Sequence, residues 1–236
     1  MQANVAAFIP GWSSILERLR SNDPALRTAR LAGLGVDDAG ATALARALAE
    51  NHRLKHLHLS QNEIGADGVQ QLAALLPRSP VATMHLDCNR FGPSGASALA
   101  QALVENTCLL HLSLDFADVS DAGATQLARC LEHNCHLSSL SLVGNELTDS
   151  GASALADALA ANEALTHLQL DGNCIADVGA TKIVQALERT ASLRVLSLDG
   201  NPIGVCVCVC VRERMCVCLP QGRKHGGMRC KLRCYV

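Results

Sequence analysis

The chain has 236 residues, of which 49% are hydrophobic and 2% aromatic, and it carries a formal net charge of −2. Residues 1–211 hold 13 Lys and Arg against 21 Asp and Glu, which argues against nucleic acid as a partner, because phosphate contacts need clustered basic side chains. No stretch approaches the roughly 18 apolar residues of a membrane span, and the N-terminus lacks the basic and apolar regions of a secretory signal.

Residues 1–25 precede the first repeated phrase, and we predict that they cap it. Ser14 and Glu17 have the spacing of a capping box, which predicts a helix that begins at this point. Its apolar side chains would shield the open edge of the first repeat. They are Trp12, Ile15, Leu16 and Leu19.

Between residues 26 and 204 one phrase recurs seven times. It reads Leu-x-x-Leu-x-Leu-x-x-Asn-x-Leu, as in residues 137–147 and 165–175. This is the pattern of a leucine-rich repeat. The copies follow one another after 27 or 28 residues and begin at Leu26, Leu54, Val81, Leu109, Leu137, Leu165 and Leu193.

Each repeat combines two hydrophobic periods. Leu168 and Leu170 alternate with polar residues, which is typical of a short strand with one buried face. Farther along the repeat, as in residues 41–48, apolar residues fall at i, i+3, i+4 and i+7, the stripe of a helix. Parallel strands lie about 4.8 Å apart and helices need about 10 Å, so the stack must curve. The predicted fold is α/β, a leucine-rich repeat solenoid (horseshoe) with parallel strands on the concave face and helices on the convex face.

An asparagine column recurs in phase with the repeats. Its amides are predicted to bond backbone groups of adjacent turns, which would otherwise be buried and unpaired at about 1–3 kcal/mol each. The column consists of Asn62, Asn89, Asn145, Asn173 and Asn201. Leu34 and Ala117 stand out of the pattern, and Ala117 predicts a looser turn in the fourth repeat.

The helical half of the repeat reads Gly-Ala-x-x-Leu-Ala-x-Ala-Leu-x-x-Asn at residues 40–51 and 151–162. It resembles the ribonuclease-inhibitor-like subclass of leucine-rich repeats, which includes ribonuclease inhibitor, the repeat regions of NOD-like receptors and the Ran GTPase-activating protein. The resemblance covers about residues 26–204. It implies an intracellular module that binds proteins through its concave face and rims. Ribonuclease inhibitor alternates its repeat lengths and is rich in cysteine and tryptophan. This chain departs from that pattern, so ribonuclease binding is not expected.

The residues that flank the strand leucines are predicted to face the concave side. Five histidines and four aspartates fall there, which predicts an acidic, pH-sensitive strip that binds a protein partner. Adjacent aspartates repel each other, so we expect a partner with a basic segment. The alternative interpretation is an ordinary solvated polar face. The predicted partner-binding residues are His56, His58, His85, Asp87, His111, Asp115, His167, Asp171 and Asp199.

Chemistry other than binding has little support in the sequence. No nucleophile elbow, Gly-rich phosphate loop or His-Glu-x-x-His motif occurs, so no catalytic residue, cofactor or small-molecule substrate is predicted. His58, His85 and Asp87 lie on neighbouring predicted strands without a recognised metal-ligand spacing, so no metal is predicted either.

Two alternative functions stay open at this point. Arg90 follows a strand at a position where the Ran GTPase activator carries an arginine finger, although the flanking residues differ from that family's arginine loop. A GTPase-activating or regulatory protein is therefore the first alternative to a binding module. An architectural cytoskeletal scaffold is the second.

Residues 205–236 break the repeat. Val and Cys alternate over residues 205–211, as in a translated GT dinucleotide repeat, and introns begin with GT. We interpret this non-repeat Cys-rich tail as disordered or as a gene-model artefact. An apolar edge strand that caps the last repeat and a soft-metal site of Cys-x-Cys pairs are the alternatives. The cysteines within the repeats lack a metal-ligand spacing, which predicts reduced thiols in a cytoplasmic protein.

Overall fold

The computed structural model describes residues 11–204 and two further strands, β8 (Cys208–Val211) and β9 (Met215–Cys218). These two strands pair antiparallel with each other in a sheet separate from that of the repeats. Residues 1–10 of the predicted cap and the rest of the predicted tail lie outside the described residues.

Strands and helices alternate along the repeats. The strands are β1 (Thr28–Arg30), β2 (His56–His58), β3 (Thr83–His85), β4 (His111–Ser113), β5 (Ser139–Ser141), β6 (His167–Gln169) and β7 (Val195–Ser197). The helices are α1 (Trp12–Arg20), α2 (Asp38–Leu48), α3 (Ala66–Ala73), α4 (Gly92–Glu105), α5 (Ser120–Leu131), α6 (Asp149–Ala161) and α7 (Asp177–Leu187). A 3-10 turn at Leu76–Arg78 follows α3.

The strands β1 to β7 form one parallel sheet in chain order, with each strand paired one repeat along. Leu57 of β2 lies beside Met84, and Leu112 of β4 lies beside Leu140. These central strand residues are buried, whereas their neighbours in the strand face the other way. The helices stack on one another in the same order as the strands. The predicted solenoid is therefore confirmed.

A continuous column of leucine and alanine fills the space between sheet and helices. Leu44 and Ala41 of α2 are fully buried, and equivalent pairs recur in the later helices. Small alanine side chains let successive helices approach each other, while leucine fills the same space in every turn. Repetition of one packing unit explains why so few aromatic residues are needed.

Helix α1 covers the first repeat, but its start differs from the prediction. It begins at Trp12, after Gly11 in the left-handed conformation (φ 77°), so Ser14 and Glu17 lie within the helix and form no capping box. Trp12 and Leu19 are buried in the common core. The prediction of a capping box is wrong because Gly11, rather than Ser14, is the residue immediately before the helix.

The asparagine column bridges adjacent repeats. Oδ1 of Asn145 accepts hydrogen bonds from the backbone N–H of Ala117 and Val119, both at 3.1 Å. Its Nδ2 donates to the carbonyl oxygens of Leu114 at 2.8 Å and Val143 at 3.2 Å. One amide thus pairs four backbone groups, three of them through fully buried hydrogen bonds. The same arrangement recurs at Asn62, Asn89, Asn173 and Asn201.

A second asparagine column lies at the opposite end of the repeat, where each helix ends. Nδ2 of Asn162 donates to the carbonyl of Leu131 in the preceding helix at 2.6 Å, and its Oδ1 accepts from the N–H of Leu165 at 2.7 Å. The last carbonyls of a helix lack partners within it, and this amide supplies one. The sequence signal is the asparagine that ends the Gly-Ala motif. The column consists of Asn51, Asn106, Asn134 and Asn162.

Aspartates at the helix starts form a third set of bridges. Oδ1 of Asp149 accepts from the backbone N–H of Ala176 and Gly179, both at 2.8 Å, where α7 begins. These N–H groups have no partner within the helix and lie at its positive end, so a carboxylate stabilises them. A Cβ on Gly179 would lie 2.7 Å from that same oxygen, so only glycine fits. Asp38 and Asp121 bind the next helix start in the same way.

The residue after the concave strand edge is left-handed in every repeat. Its φ lies between 53° and 75° at Gly33, Gln61, Cys88, Phe116, Gly144, Gly172 and Gly200. A side chain in this conformation costs roughly 1–2 kcal/mol relative to glycine. Repeats two to four carry that cost. The fourth repeat, where Ala117 replaces the ladder asparagine, adds left-handed Asp118 and Ser120.

Replacing Asn145 with alanine tests the asparagine bridge. The change leaves three buried backbone groups without their side-chain partner, so we expect the free energy of unfolding to fall by at least about 2 kcal/mol. Urea denaturation followed by circular dichroism measures it. Gln101→Ala, at an exposed position of α4, is the control and should change stability by no more than about 0.5 kcal/mol. Equal stability of the two variants would contradict a structural role for the amide.

Candidate functional site

The strand register arranges the predicted partner-binding residues in three columns. His56, His111 and His167 lie in the first column, at the start of their strands. His58 and His85 are direct neighbours in the second. The third column follows the strand ends and consists of Asp87, Asp115, Asp171 and Asp199.

The histidines of the first column are the most accessible members of the site. His56, His111 and His167 are all exposed. Thr166 places its Oγ1 2.7 Å from Nδ1 of His167, which orients that ring. These rings are free to meet a partner from solution.

In the second column two histidines stack on each other. The ring centroids of His58 and His85 lie 4.8 Å apart and the ring planes differ by 9°. Nδ1 of His85 lies 3.6 Å from Oδ2 of Asp87. Burial lowers the pKa of His58, and the nearby His85 and Arg30 lower it further. His58 thus resists the protonation that the sequence predicts for the whole histidine set.

The aspartates of the third column are tied to the next repeat. Oδ1 of Asp115 accepts the hydroxyl hydrogen of Ser141 at 2.5 Å and the N–H of Val143 at 2.9 Å. Asp171 binds Ser197 and the N–H of Asp199 in the same way. Their side chains are half-buried. These carboxylates therefore do not simply point to solvent, because each one accepts hydrogen bonds from a serine and a backbone N–H of the following turn.

The sequence carries a signal for this arrangement. A serine stands 26 residues after each of three aspartates, and each serine hydroxyl donates to its aspartate. Two of these serines, Ser141 and Ser197, are among the buried polar residues. The aspartate column is thus a fourth set of bridges between repeats.

The neighbouring aspartates also affect each other. Burial raises the pKa of Asp115, its hydrogen bonds to Ser141 and Val143 lower it, and the charge of Asp87 raises it again. The charge of Asp87 thus opposes ionisation of Asp115. A positive charge placed beside them would relieve it.

A second exposed surface lies beside the concave face, on the loops that leave the strands. We define this strand-exit rim by Glu63, Arg90, Phe116, Asp118 and Glu146, all of which are exposed. The sequence singles out only Arg90 among them. Exposure of Phe116 follows from its backbone, which the hydrophobic pattern does not encode.

Metal and membrane sites have no support in the part of the chain that the structure describes. No group of three or more His, Cys, Asp or Glu among residues 11–204 is placed to hold a metal ion. No helix in this range is long and apolar enough to cross a membrane.

Family comparison agrees with the structure. A leucine-rich repeat model matches residues 50–73, 83–100, 105–128, 133–156 and 161–184, and these matches follow the solenoid turns. Parallel strands, outer helices and bridging asparagines define a repeat scaffold. The chain belongs to the leucine-rich repeat proteins, and its relatives are consistent with the ribonuclease-inhibitor-like subclass.

The curated relatives are long proteins that contain such repeats. The chain is 33% identical over 113 residues to mouse NACHT, LRR and PYD domains-containing protein 14, covering 47% of this chain and 11% of that protein. It is 34% identical over 113 residues to human NACHT, LRR and PYD domains-containing protein 5, covering 47% of this chain and 9% of that protein. The chain therefore spans about a tenth of the length of these relatives.

Solved structures share the fold at low sequence identity. The actin-binding site 2 structure of leiomodin-1 matches with a TM-score of 0.58 and 21% identity, covering 64% of this chain and 88% of that one. The tropomodulin C-terminal domain of Caenorhabditis elegans matches with a TM-score of 0.54 and 15% identity, covering 62% and 89%. At these identities the similarity concerns the fold alone.

Stability measurements on Asp115→Asn test the raised pKa. The folded state favours the protonated carboxyl, so wild-type stability falls as pH rises from the ordinary value of 3.8 through the raised pKa. Asparagine can still accept the bonds from Ser141 and Val143 but carries no charge. We therefore expect the variant to gain stability relative to wild type between about pH 3.5 and about pH 7, measured by urea denaturation.

The control for this measurement is Asp157→Asn, an exposed position on α6. Its stability difference from wild type should vary much less over the same pH range, because no burial penalises its charge. A difference for Asp115→Asn that is constant with pH would show that the folded protein leaves this carboxyl unperturbed.

Proposed function

We propose that the chain is a non-catalytic, cytoplasmic interaction module whose concave face binds a basic segment of a protein partner. The observation that carries the proposal is the register, which sets Asp87 beside Asp115 and Asp171 beside Asp199 on one face of the sheet. Parallel strands about 4.8 Å apart bring the members of each pair together at the strand ends, and Val143 separates the two pairs of this acidic strip. A basic segment relieves the repulsion within each pair.

Preorganisation supports this proposal. The carboxylates of Asp115 and Asp171 are each fixed by a serine hydroxyl and a backbone N–H of the following repeat. A partner therefore meets charges that already occupy defined positions, which reduces the ordering entropy lost on binding.

The histidines make the interaction depend on pH. His56, His111 and His167 stand in one exposed column beside the acidic strip. Protonation adds positive charge to this face and weakens the attraction for a basic segment. His58 contributes later than an ordinary histidine because its pKa is lowered by burial and by His85. Binding should therefore weaken as pH falls, mainly through the exposed column.

Capture experiments with matched charge-neutral variants test the concave proposal. The immobilised full chain is incubated with lysate of the source cells, and bound proteins are quantified by mass spectrometry. Asp171→Asn keeps the hydrogen bonds of the repeat but removes one charge, so capture of the specific partner should drop about tenfold, equivalent to about 1.4 kcal/mol. The drop should shrink at high salt, where exposed charges are screened.

Asp157→Asn is the convex control, since it removes the same charge from the exposed face of α6. It should capture the partner as wild type does. Loss of capture in this variant, with Asp171→Asn unaffected, would place the interface on the helices and contradict the proposal.

A GTPase-activating role makes a different prediction about Arg90. This side chain is exposed on the loop that leaves β3, and the matching loops of the adjacent repeats carry Glu63 and Asp118. Acidic neighbours disfavour contact with a phosphate. We expect no stimulation of GTP hydrolysis by a panel of small GTPases in a phosphate-release assay. A rise of about 10³-fold or more that Arg90→Ala abolishes would establish an arginine finger instead.

A further inference from the structure

Phe116 is a large apolar side chain that lies exposed on the surface. Its side chain is 55% exposed, whereas Trp12 and Phe91, the other aromatic residues of the described range 11–204, are 5% and 2% exposed. It stands on the strand-exit rim, immediately after Asp115 of the acidic strip. Large exposed aromatic side chains are enriched at the centres of protein interfaces.

The backbone at Phe116 does not favour this side chain. The position has φ 53° and corresponds to glycine in four of the seven repeats. Its N–H donates to the carbonyl of Val143 at 2.8 Å, so the left-handed conformation is fixed by the ladder between repeats. A phenylalanine here is strained, and a glycine would satisfy the fold. Strain of this kind concentrates at functional sites.

The following repeat gives the ring a support. Phe116 lies over Gly144, and a Cβ added at Gly144 would collide with the ring. One face of the ring is therefore held against backbone while much of the side chain remains open to solvent. A ring packed on one side loses less freedom when a partner binds than one that is surrounded by solvent.

Charge around the ring indicates which partner fits. Asp118 follows Phe116 in the same loop, and Glu146 stands at the position matching Asp118 in the next repeat, so two exposed acidic residues share the strand-exit rim with the aromatic. Arg90 occupies the position of Asp118 in the preceding repeat and carries a positive charge, opposite in sign to the two carboxylates. An aromatic face attracts cations, and flanking carboxylates strengthen the attraction.

From this arrangement we infer that Phe116, Asp118 and Glu146 form an anchor for an arginine or lysine side chain of an extended basic peptide. The inference rests on the proposed function, because the same basic segment continues onto the acidic strip of the concave face. In this anchor the guanidinium or ammonium group lies over the open part of the Phe116 ring and pairs with the carboxylate of Glu146. An acidic or purely apolar peptide does not match this surface.

Synthetic peptides test the anchor directly. The probe is a fluorescein-labelled peptide of alternating arginine and serine, about eight residues long, which in extended form reaches across the central repeats. A peptide with citrulline in place of arginine keeps the shape and hydrogen-bonding groups but lacks the charge. Binding to the full chain is measured by fluorescence anisotropy under reducing conditions. We expect the citrulline peptide to bind at least about tenfold more weakly.

Phe116→Gly is the principal variant, because glycine is the residue of four other repeats at this position. It should fold as wild type by circular dichroism and bind the arginine peptide about five- to tenfold more weakly. Asp118→Asn with Glu146→Gln should weaken binding and reduce its salt dependence. Arg90→Gln should strengthen it, since the opposing charge is removed. Val104→Ala, on the convex helix α4 at 49% exposure, is the apolar control and should bind as wild type.

Each outcome decides one part of the inference. Equal binding of the arginine peptide by wild type and Phe116→Gly overturns the anchor, and equal binding of the citrulline peptide overturns its preference for a cation. The concave proposal is judged separately by partner capture. If Asp171→Asn loses capture while Phe116→Gly keeps both capture and peptide binding, the anchor fails and the concave proposal stands. If Phe116→Gly alone loses both, the anchor stands and the concave proposal fails.

Discussion

Hydrogen bonds from side-chain oxygens and amides to the backbone of the next repeat hold this solenoid together. A three-residue strand contributes few ladder bonds of its own, so the turns that flank it would leave many buried N–H and C=O groups without partners. Asn145 closes the turn after a strand, Asn162 closes the end of a helix, and Asp149 supports the start of the next helix. Because each of these side chains reaches into a neighbouring turn, no repeat is complete alone, and stability spreads along the array as nearest-neighbour terms.

The acidic strip of the concave face belongs to the same system. Asp115 and Asp171 accept bonds from the following repeat, and they also present charge to whatever enters the concave face. The carboxylates of the proposed binding surface are therefore the same groups that join adjacent repeats. The pKa of Asp115 is raised because the fold keeps this carboxyl partly away from water and close to Asp87.

Departures from the repeat pattern concentrate in repeats two to four of the array. The second and third repeats lack the helix-start aspartate, with Ala66 and Pro93 in its place. Repeats two to four carry side chains in left-handed positions. Ala117 removes an asparagine from the ladder in the same region. Natural sequences depart from their local rules mainly where function demands it. The stacked His58 and His85, the Asp87–Asp115 pair and Phe116 all lie in or beside this irregular region.

Sequence alone determined the features that depend on spacing. The leucine period defined the strands and helices, the register followed from the 27- or 28-residue interval, and the concave columns followed from strand alternation. Geometry between repeats decided the rest. The start of α1 at Trp12, the inward turn of Asp115 and the exposure of Phe116 each depend on backbone groups of another turn or on a left-handed φ. A hydrophobic pattern records which residues are buried along one segment. It does not record which donor, 26 to 31 residues away, will stand opposite a given carboxylate or amide once the turns are stacked.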